Sequence, residues 1–317
     1  MKYCHNLLNE INFEPASLQP CCNTRALKVP SFPYSGGPVN LRAYASHIAR
    51  TLNEIQTAGG VCKGCPKLMD INQDALQDVL GVNGAKFKTV SINMHRHFCN
   101  CRCVYCDLWQ HGDKGYGYDI LPGLKSLRER GALDDNALLA WGGGEPGILP
   151  TFDEAASWAF NCGYAQVVHT NALRFSAPVA ELLAGGMGTV NVSLDSCSRE
   201  TYKAVKGLDG FHSVLDTVRR YAAANADMVV LKYIVFEANN EPGEIENFLQ
   251  LSRKLGARVQ YSLNFVEINS NAVSEKSLLA AAYLRKRARQ LGLKCYAFCI
   301  DPVWEEKIAA AGERMEN

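Results

Sequence analysis

The sequence predicts an α/β protein: six or seven strand–helix units form the body of the chain, and a small cysteine-rich segment precedes them. Three observations carry this. From residue 87 onward, short strand-like runs alternate with amphipathic helical patterns, and such alternation implies parallel strands joined by right-handed crossovers. Before that point the chain is rich in Pro and Gly (SFPYSGGP, TAGG). Finally, the 13 cysteines are unevenly placed, with Cys4, Cys21, Cys22, Cys62 and Cys65 all in the first 65 residues.

Taken in chain order, the first stretch holds one helix-like pattern, about Leu41–Gln56, and ends in a turn-forming run, Gly81-Val82-Asn83-Gly84, that reads as a linker. This divides the chain into a metal-stapled domain over 1–86, an α/β domain over 87–300 and a tail over 301–317. Strands are expected at Phe87–His95, Ala137–Trp141, Gln166–Thr170, Thr189–Asp195, Val229–Phe236, Arg258–Phe265 and Leu293–Phe298. Helices lie between them, as the i, i+3, i+4, i+7 spacing of Phe211, Val214, Leu215 and Val218 and the spacing of Ile245, Phe248 and Leu249 show. The arrangement is an open or closed α/β barrel, with a doubly wound sheet as the alternative.

The strands favour a barrel with a wet interior. Val190, Val192 and Leu194 share one face, and Asn191, Ser193 and Asp195 the other. Val90, Ile92 and Met94 likewise oppose Ser91, Asn93 and His95, while Val259, Tyr261, Leu263 and Phe265 oppose Gln260, Ser262 and Asn264. Parallel strands covered on both sides normally read as continuous apolar runs. Alternation here puts helices on the apolar side and a solvated, ligand-binding lumen on the polar side.

The bulk composition excludes several classes. With 33 Lys and Arg against 32 Asp and Glu, the net charge is +1 and no basic run stands out, which argues against nucleic-acid and membrane surfaces. The N-terminus, MKYCHNLLNE, lacks a signal-peptide core, and no apolar run nears the ~18 residues of a membrane span. A cytoplasmic protein is expected, and in a reducing compartment clustered cysteines read as metal ligands.

The sharpest motif is CNCRCVYC. It sets Cys99, Cys103 and Cys106 in C-x3-C-x2-C spacing directly after the first strand. Three thiolates in one short loop hold three irons of a four-iron cube and leave the fourth open to a small molecule. A zinc knuckle with Cys101 as fourth ligand is the alternative. Two further segments follow: Trp141-Gly142-Gly143-Gly144-Glu145-Pro146 after the second strand, and Val190-Asn191-Val192-Ser193-Leu194-Asp195 in the fourth. Alone, GGGEP is a Gly-rich turn before a helix.

In order and position these three segments resemble the radical S-adenosylmethionine (SAM) superfamily, over about residues 87–300. The resemblance implies a partial (β/α)6-type barrel and an oxidoreductase with a 4Fe–4S cluster on Cys99, Cys103 and Cys106. It places the SAM amine on Gly142, Gly143, Gly144 and Glu145, the ribose on Ser193 and Asp195, and Tyr105 against the adenine. Thr170 and Asn171, ending the third strand, and Lys232, in the fifth, are candidates to touch SAM or substrate; a turn-forming Asn and a Lys reaching to solvent are the bland alternatives.

The N-terminal Cys4, Cys21, Cys22, Cys62 and Cys65 resemble a SPASM or twitch type of auxiliary-cluster domain, here ahead of the barrel rather than after it. An auxiliary 4Fe–4S cluster is expected, with structural zinc as the alternative and only one of the adjacent Cys21 and Cys22 reaching the metal. The resemblance further implies a peptide or carbohydrate substrate and a flavodoxin or ferredoxin type of reductant. An activating enzyme for a glycyl-radical protein and a non-catalytic metal-stapled binding module are the competing readings. Cys197, two residues beyond Asp195, is a candidate hydrogen donor to a substrate radical if its strand extends that far, with Cys295 and Cys299 as rivals.

Overall fold

The computed structural model describes residues 2–21, 29–56, 62, 63, 65, 68–70, 86–111 and 117–314. Cys22 and the expected linker at 81–84 lie outside them. The chain divides into two compact units: Met1–Phe98 with Gly112–Val167, and Cys99–His111 with Val168–Asn317.

In the first unit β1 (Lys2–Cys4) leads into a short helix, α1 (His5–Asn9), then β2 (Glu10–Glu14), β3 (Ser17–Gln19) and β4 (Phe32–Pro33). The helix α2 spans Leu41–Gln56, the range its periodicity predicts, and buries Tyr44, His47, Ile48, Thr51 and Ile55 along one face. The strand β5 (Leu68–Asp70) pairs antiparallel with β1. Next come β6 (Phe87–Ile92), α3 (Leu121–Glu129), β7 (Leu133–Trp141), α4 (Phe152–Asn161) and the first half of β8 (Ala165–Thr170).

Strand order here is β4-β3-β2-β6-β7, with β8 following. The pairs β2–β6 and β6–β7 are parallel, while β2–β3 and β3–β4 are antiparallel. Strand β2 thus lies before residue 86 and hydrogen-bonds to a strand beyond it. Its end is fastened as well: Glu14 accepts from Arg96 Nε at 2.7 Å and pairs with that guanidinium, and Asn93 Nδ2 donates to Glu14 at 3.3 Å. The expected alternation in β6 is visible, with Val90 and Ile92 fully buried, but pairing stops at Ile92 rather than His95. Residues 93–98 turn instead, with Arg96 N bonded to Asn93 O and Phe98 N to His95 O.

The second unit carries the rest of β8, then α5 (Ala177–Ala184), β9 (Gly188–Ser193), α6 (Arg199–Lys206), α7 (Phe211–Asn225), β10 (Val229–Val235), α8 (Pro242–Leu255), β11 (Arg258–Leu263), α9 (Phe265–Asn269), α10 (Glu275–Gln290), β12 (Cys295–Ala297) and α11 (Pro302–Arg314). Strand order is β8-β9-β10-β11-β12, and the pairs from β9 to β12 are parallel. In each unit the parallel strands follow sequence order without reversal, which is single winding and not the switched order of a doubly wound sheet. The second unit also curls. Phe298, just past β12, brings its ring to 6.3 Å from that of His169 on β8.

Three more strand ends differ from expectation. At β11 the Asn264 side chain accepts from Val266 N at 3.0 Å and caps α9, so Phe265 opens a helix and is exposed. At β9 the chain leaves the sheet after Ser193, and Asp195 takes a left-handed φ of 57°. Residue alternation therefore stops before Cys197. Strand β12 holds only Cys295–Ala297, so Cys295 and Cys299 do not share a strand face. Among the described residues, no helix is long and apolar enough to cross a membrane.

Candidate SAM and iron–sulfur site

The loop bearing Cys99, Cys103 and Cys106 is held by its backbone. Arg102 N donates to Lys206 O at 2.9 Å and Val104 N to Val205 O at 3.0 Å, so the end of α6 runs alongside it like a strand. That helix starts with a Ser198 cap and stops at Gly207, whose left-handed φ of 72° needs glycine. A Cβ at Gly207 would also stand 2.8 Å from Arg102 O. Within the loop, Cys106 N bonds to Cys103 O at 3.1 Å, and Trp109 Nε1 donates to the same carbonyl at 3.1 Å.

The four thiols are not equivalent. Cys99, Cys103 and Cys106 are partly accessible, whereas Cys101 is buried. A hydrogen bond to Cys103 and another to Cys99 hold the Cys101 thiol protonated. Cys103 moves the other way: the Cys101 bond, Lys206 and the Tyr105 hydroxyl favour its thiolate against burial. A loop offering three reachable thiols and one buried donor fits a three-ligand cube with an open iron.

Behind the loop lies a buried polar knot that residue spacing did not reveal. Lys206 and Asp195 form an ion pair, both almost wholly buried. Tyr105 donates to Asp195 Oδ2 at 2.7 Å and accepts from Lys206 Nζ at 2.9 Å. Ile234 N donates to the other Asp195 oxygen at 2.7 Å, and Asn239 Nδ2 to the Asp195 carbonyl at 2.8 Å. Both carboxylate oxygens of Asp195 are therefore engaged inside the protein. The Tyr105 ring packs edge-on against Phe236. Ser193, by contrast, stays partly accessible at the end of β9. The helix pattern of residues 199–206 was the available signal for Lys206, since it ends on a lysine before glycine.

Thr170 and Asn171 act in the turn after β8. Thr170 Oγ1 accepts from Ala172 N at 2.9 Å, and Asn171 Oδ1 from Leu173 N at 3.0 Å. Asn171 also donates to Asn100 of the cysteine loop at 2.7 Å. Cys197 is half-buried. Its backbone N–H donates to Glu244, and burial followed by that carboxylate pushes its thiol up to about 12.

In the first unit, Gly142–Glu145 packs against the turn that follows β6. Gly142 N bonds to Ile92 O at 3.1 Å and Glu145 N to Phe98 O at 2.9 Å. A Cβ at Gly144 would fall 2.1 Å from Phe98 O and 2.4 Å from His95 O. Only glycine fits there, so the segment is a cradle closed on its own chain. Glu145 is buried and accepts from Gly147 N at 2.8 Å, capping the turn. His95, fully buried, rests Nδ1 3.5 Å from Met94 Sδ and has no partner for Nε2 among the described residues; burial, then Arg96, pushes it down to about 3.

The N-terminal cysteines also meet. Cys4, Cys21 and Cys62 are buried in one cluster with Leu7, Val29 and Ile55, and Cys65 packs against it. Cys65 N bonds to Cys62 O at 3.0 Å. Burial raises the Cys62 thiol, and the neighbouring Cys4 and Cys65 raise it further. Among the described residues, no three His, Cys, Asp or Glu side chains close to the spacing of a single bound ion.

Comparison with known proteins agrees with this geometry. Residues 94–251 match the model of the Radical SAM superfamily. The chain is 31% identical over 166 residues to a probable GTP 3',8-cyclase of Saccharolobus islandicus, covering 50% of this chain and 51% of that protein. It is 25% identical over 170 residues to a GTP 3',8-cyclase of Clostridium botulinum, at 51% and 52% coverage. The chain thus spans about half the length of the curated relatives it matches. Streptococcus suis SuiB bound to precursor peptide SuiA has the same fold at a TM-score of 0.56 and 12% identity, over 92% of this chain and 61% of that one. Native anSMEcpe with bound AdoMet does so at 0.51 and 17%, over 66% and 63%. The chain belongs to the radical SAM superfamily and is an enzyme with a 4Fe–4S cluster and SAM as its cofactors.

Proposed function

We propose that Cys99, Cys103 and Cys106 hold the cluster, with SAM on its open iron. The observation that carries this is the loop itself: three reachable thiols, one buried donor thiol and a backbone fixed by α6. When bound, the cluster and SAM would supply radical hydrogen-abstraction chemistry. The residues do the aiming. Backbone groups of Gly142–Glu145 receive the SAM amine, in a cradle no side chain can enter. Ser193 offers its hydroxyl to the ribose. Asp195 fixes Tyr105, and so acts on the adenine side through that ring. Cys197 keeps its S–H and is the candidate hydrogen donor.

The substrate reading is a peptide, with a carbohydrate as the other candidate. The fold shared with SuiB bound to precursor peptide SuiA supports a peptide. Half-length identity to probable GTP 3',8-cyclases supports a phosphorylated small molecule as the second reading. The Cys4, Cys21, Cys62 and Cys65 nest suits an auxiliary 4Fe–4S cluster, since buried thiolates that repel one another are relieved by a cationic metal core. A flavodoxin or ferredoxin type of reductant and a cytoplasmic setting complete the reading.

The test is anaerobic reconstitution with dithionite and SAM. The native chain should release 5'-deoxyadenosine, and a chain with Cys99, Cys103 and Cys106 all changed to Ala should not. Equal release by both would sink the ligand assignment.

A further inference from the structure

One charge in the second unit has no role in the cluster loop. Lys232 sits in the middle of β10, largely buried, and among the described residues its ammonium makes no hydrogen bond or ion pair. Its ammonium lies over the face of Phe298, 5.0 Å from Nζ to the ring centroid. A cation over an aromatic face recovers only part of the hydration it gives up. Burying an ammonium costs several kcal/mol. The ring does not close that gap. An oxyanion would.

The surroundings are arranged for a ligand. In register, Lys232 stands beside Ser193 on β9 and Gln260 on β11, so the three share one face. Two residues either way, Asn191 and Ser262 share it too. Asn191 Oδ1, Gln260 Oε1 and Ser262 Oγ are buried and have no hydrogen-bond partner among the described residues. His169 joins them from β8, 3.5 Å from Asn191 Nδ2 and beside the Phe298 ring. Burial and Lys232 keep that imidazole neutral, pushed down to about 4. Unsatisfied buried acceptors are costly, and two amide oxygens ask for N–H or O–H donors. One cation with flanking acceptors describes a ligand of mixed character.

We propose that this face of the second unit is the substrate's recognition site, where Lys232 takes an oxyanion of the substrate and Asn191 and Gln260 take adjacent N–H or O–H groups. The inference rests on the radical SAM reading above and names the substrate chemistry that reading leaves open. A carboxylate beside a peptide N–H meets the requirement, as does a phosphate beside sugar hydroxyls. Ser193 belongs to the same row, which puts the oxyanion next to the proposed ribose site.

The test uses reconstituted protein saturated with SAM and two probes, N-acetylglutamate for the carboxylate and pyrophosphate for the phosphate, titrated calorimetrically up to about 50 mM. One probe should bind native protein, and which one binds identifies the source of the oxyanion. Lys232→Met should weaken that probe at least tenfold and SAM less than threefold; Lys232→Arg, which keeps the charge, should restore most of the binding. Failure of both probes to bind native protein overturns the proposal. So does equal binding by Lys232→Met, or an equal loss of SAM, which would assign the lysine to the cofactor. Release of 5'-deoxyadenosine, measured on the same samples, separates the two levels: intact SAM cleavage with no probe binding removes this inference alone, and absent cleavage removes the reading beneath it.

Discussion

Cys99, Cys103 and Cys106 come from one short loop, while Cys4, Cys21, Cys62 and Cys65 come from three separate stretches of chain. The loop is tied to the elements around it by residues other than its cysteines: Arg102 and Val104 to the end of α6, and Tyr105 to Asp195 and Lys206. The N-terminal thiols are themselves core, buried with Leu7, Val29 and Ile55. On the ligand sets proposed above, the fold prepares the loop before metal arrives, whereas in the nest the ligands are also core and metal binding is coupled to folding.

The largest effect should come from breaking each site in turn. Changing Cys99, Cys103 and Cys106 to Ala should abolish SAM cleavage and remove about four irons, with little change in melting temperature. Changing Cys62 and Cys65 should also remove about four irons, but should lower the melting temperature markedly, because it takes metal and packing together. Iron analysis beside calorimetry checks both. Equal thermal losses would show that the two sites are built alike. Tightly bound zinc without residual iron in the loop variant would reassign the nest.

Next in size is the knot behind the loop. Lys206→Met leaves the Asp195 carboxylate buried and unpaired, which should cost about 3–5 kcal/mol in urea unfolding. Lys206→Arg should recover part of it. A loss below 1 kcal/mol would mean the loop does not depend on the knot.

Gly144→Ala should follow at about 1–3 kcal/mol, since its Cβ forces back the Phe98 and His95 carbonyls, with SAM cleavage falling at least tenfold. Gly243→Ala, where a Cβ meets nothing within 4 Å, is the control and should be close to neutral.

The last effect is on pH and needs no substitution. In the unfolded chain His169 takes a proton near pH 6.5; in the folded chain it does not until about 4. Its stabilisation is complete above pH 6.5 and drains away toward pH 4, about 2 kcal/mol of it by pH 5. His95, held at about 3, acts in the same window and direction. Urea midpoints of the iron-free protein from pH 7.5 to 5 should show the decline, and His169→Gln should flatten it.

Legibility followed the same divide between local and distant. The C-x3-C-x2-C spacing, the GGGE cradle and the register of Leu41–Gln56 are local patterns, and the sequence displays them. That β2 would pair with β6 is not local, because Glu10–Glu14 carries no mark naming a partner so far along the chain. The knot ties Tyr105 to Asp195 and Lys206, 90 and 101 positions further along, and is invisible for the same reason. Strand ends were misjudged where a side chain interrupted the period, as Asn264 does by capping α9.

The parallel pairing of β2 with β6 has a consequence in time. During synthesis β2 leaves the ribosome roughly 80 residues ahead of its partner, a delay of about 4–16 s at 5–20 residues per second. For that interval its buried residues, Ile11 and Phe13 among them, lack the β6 side of the sheet and rely on earlier segments such as the β3 hairpin and Tyr34. The nascent chain must therefore shelter an unfinished sheet edge before β6 arrives, and Glu14 finds Arg96 only after β6 has followed it out.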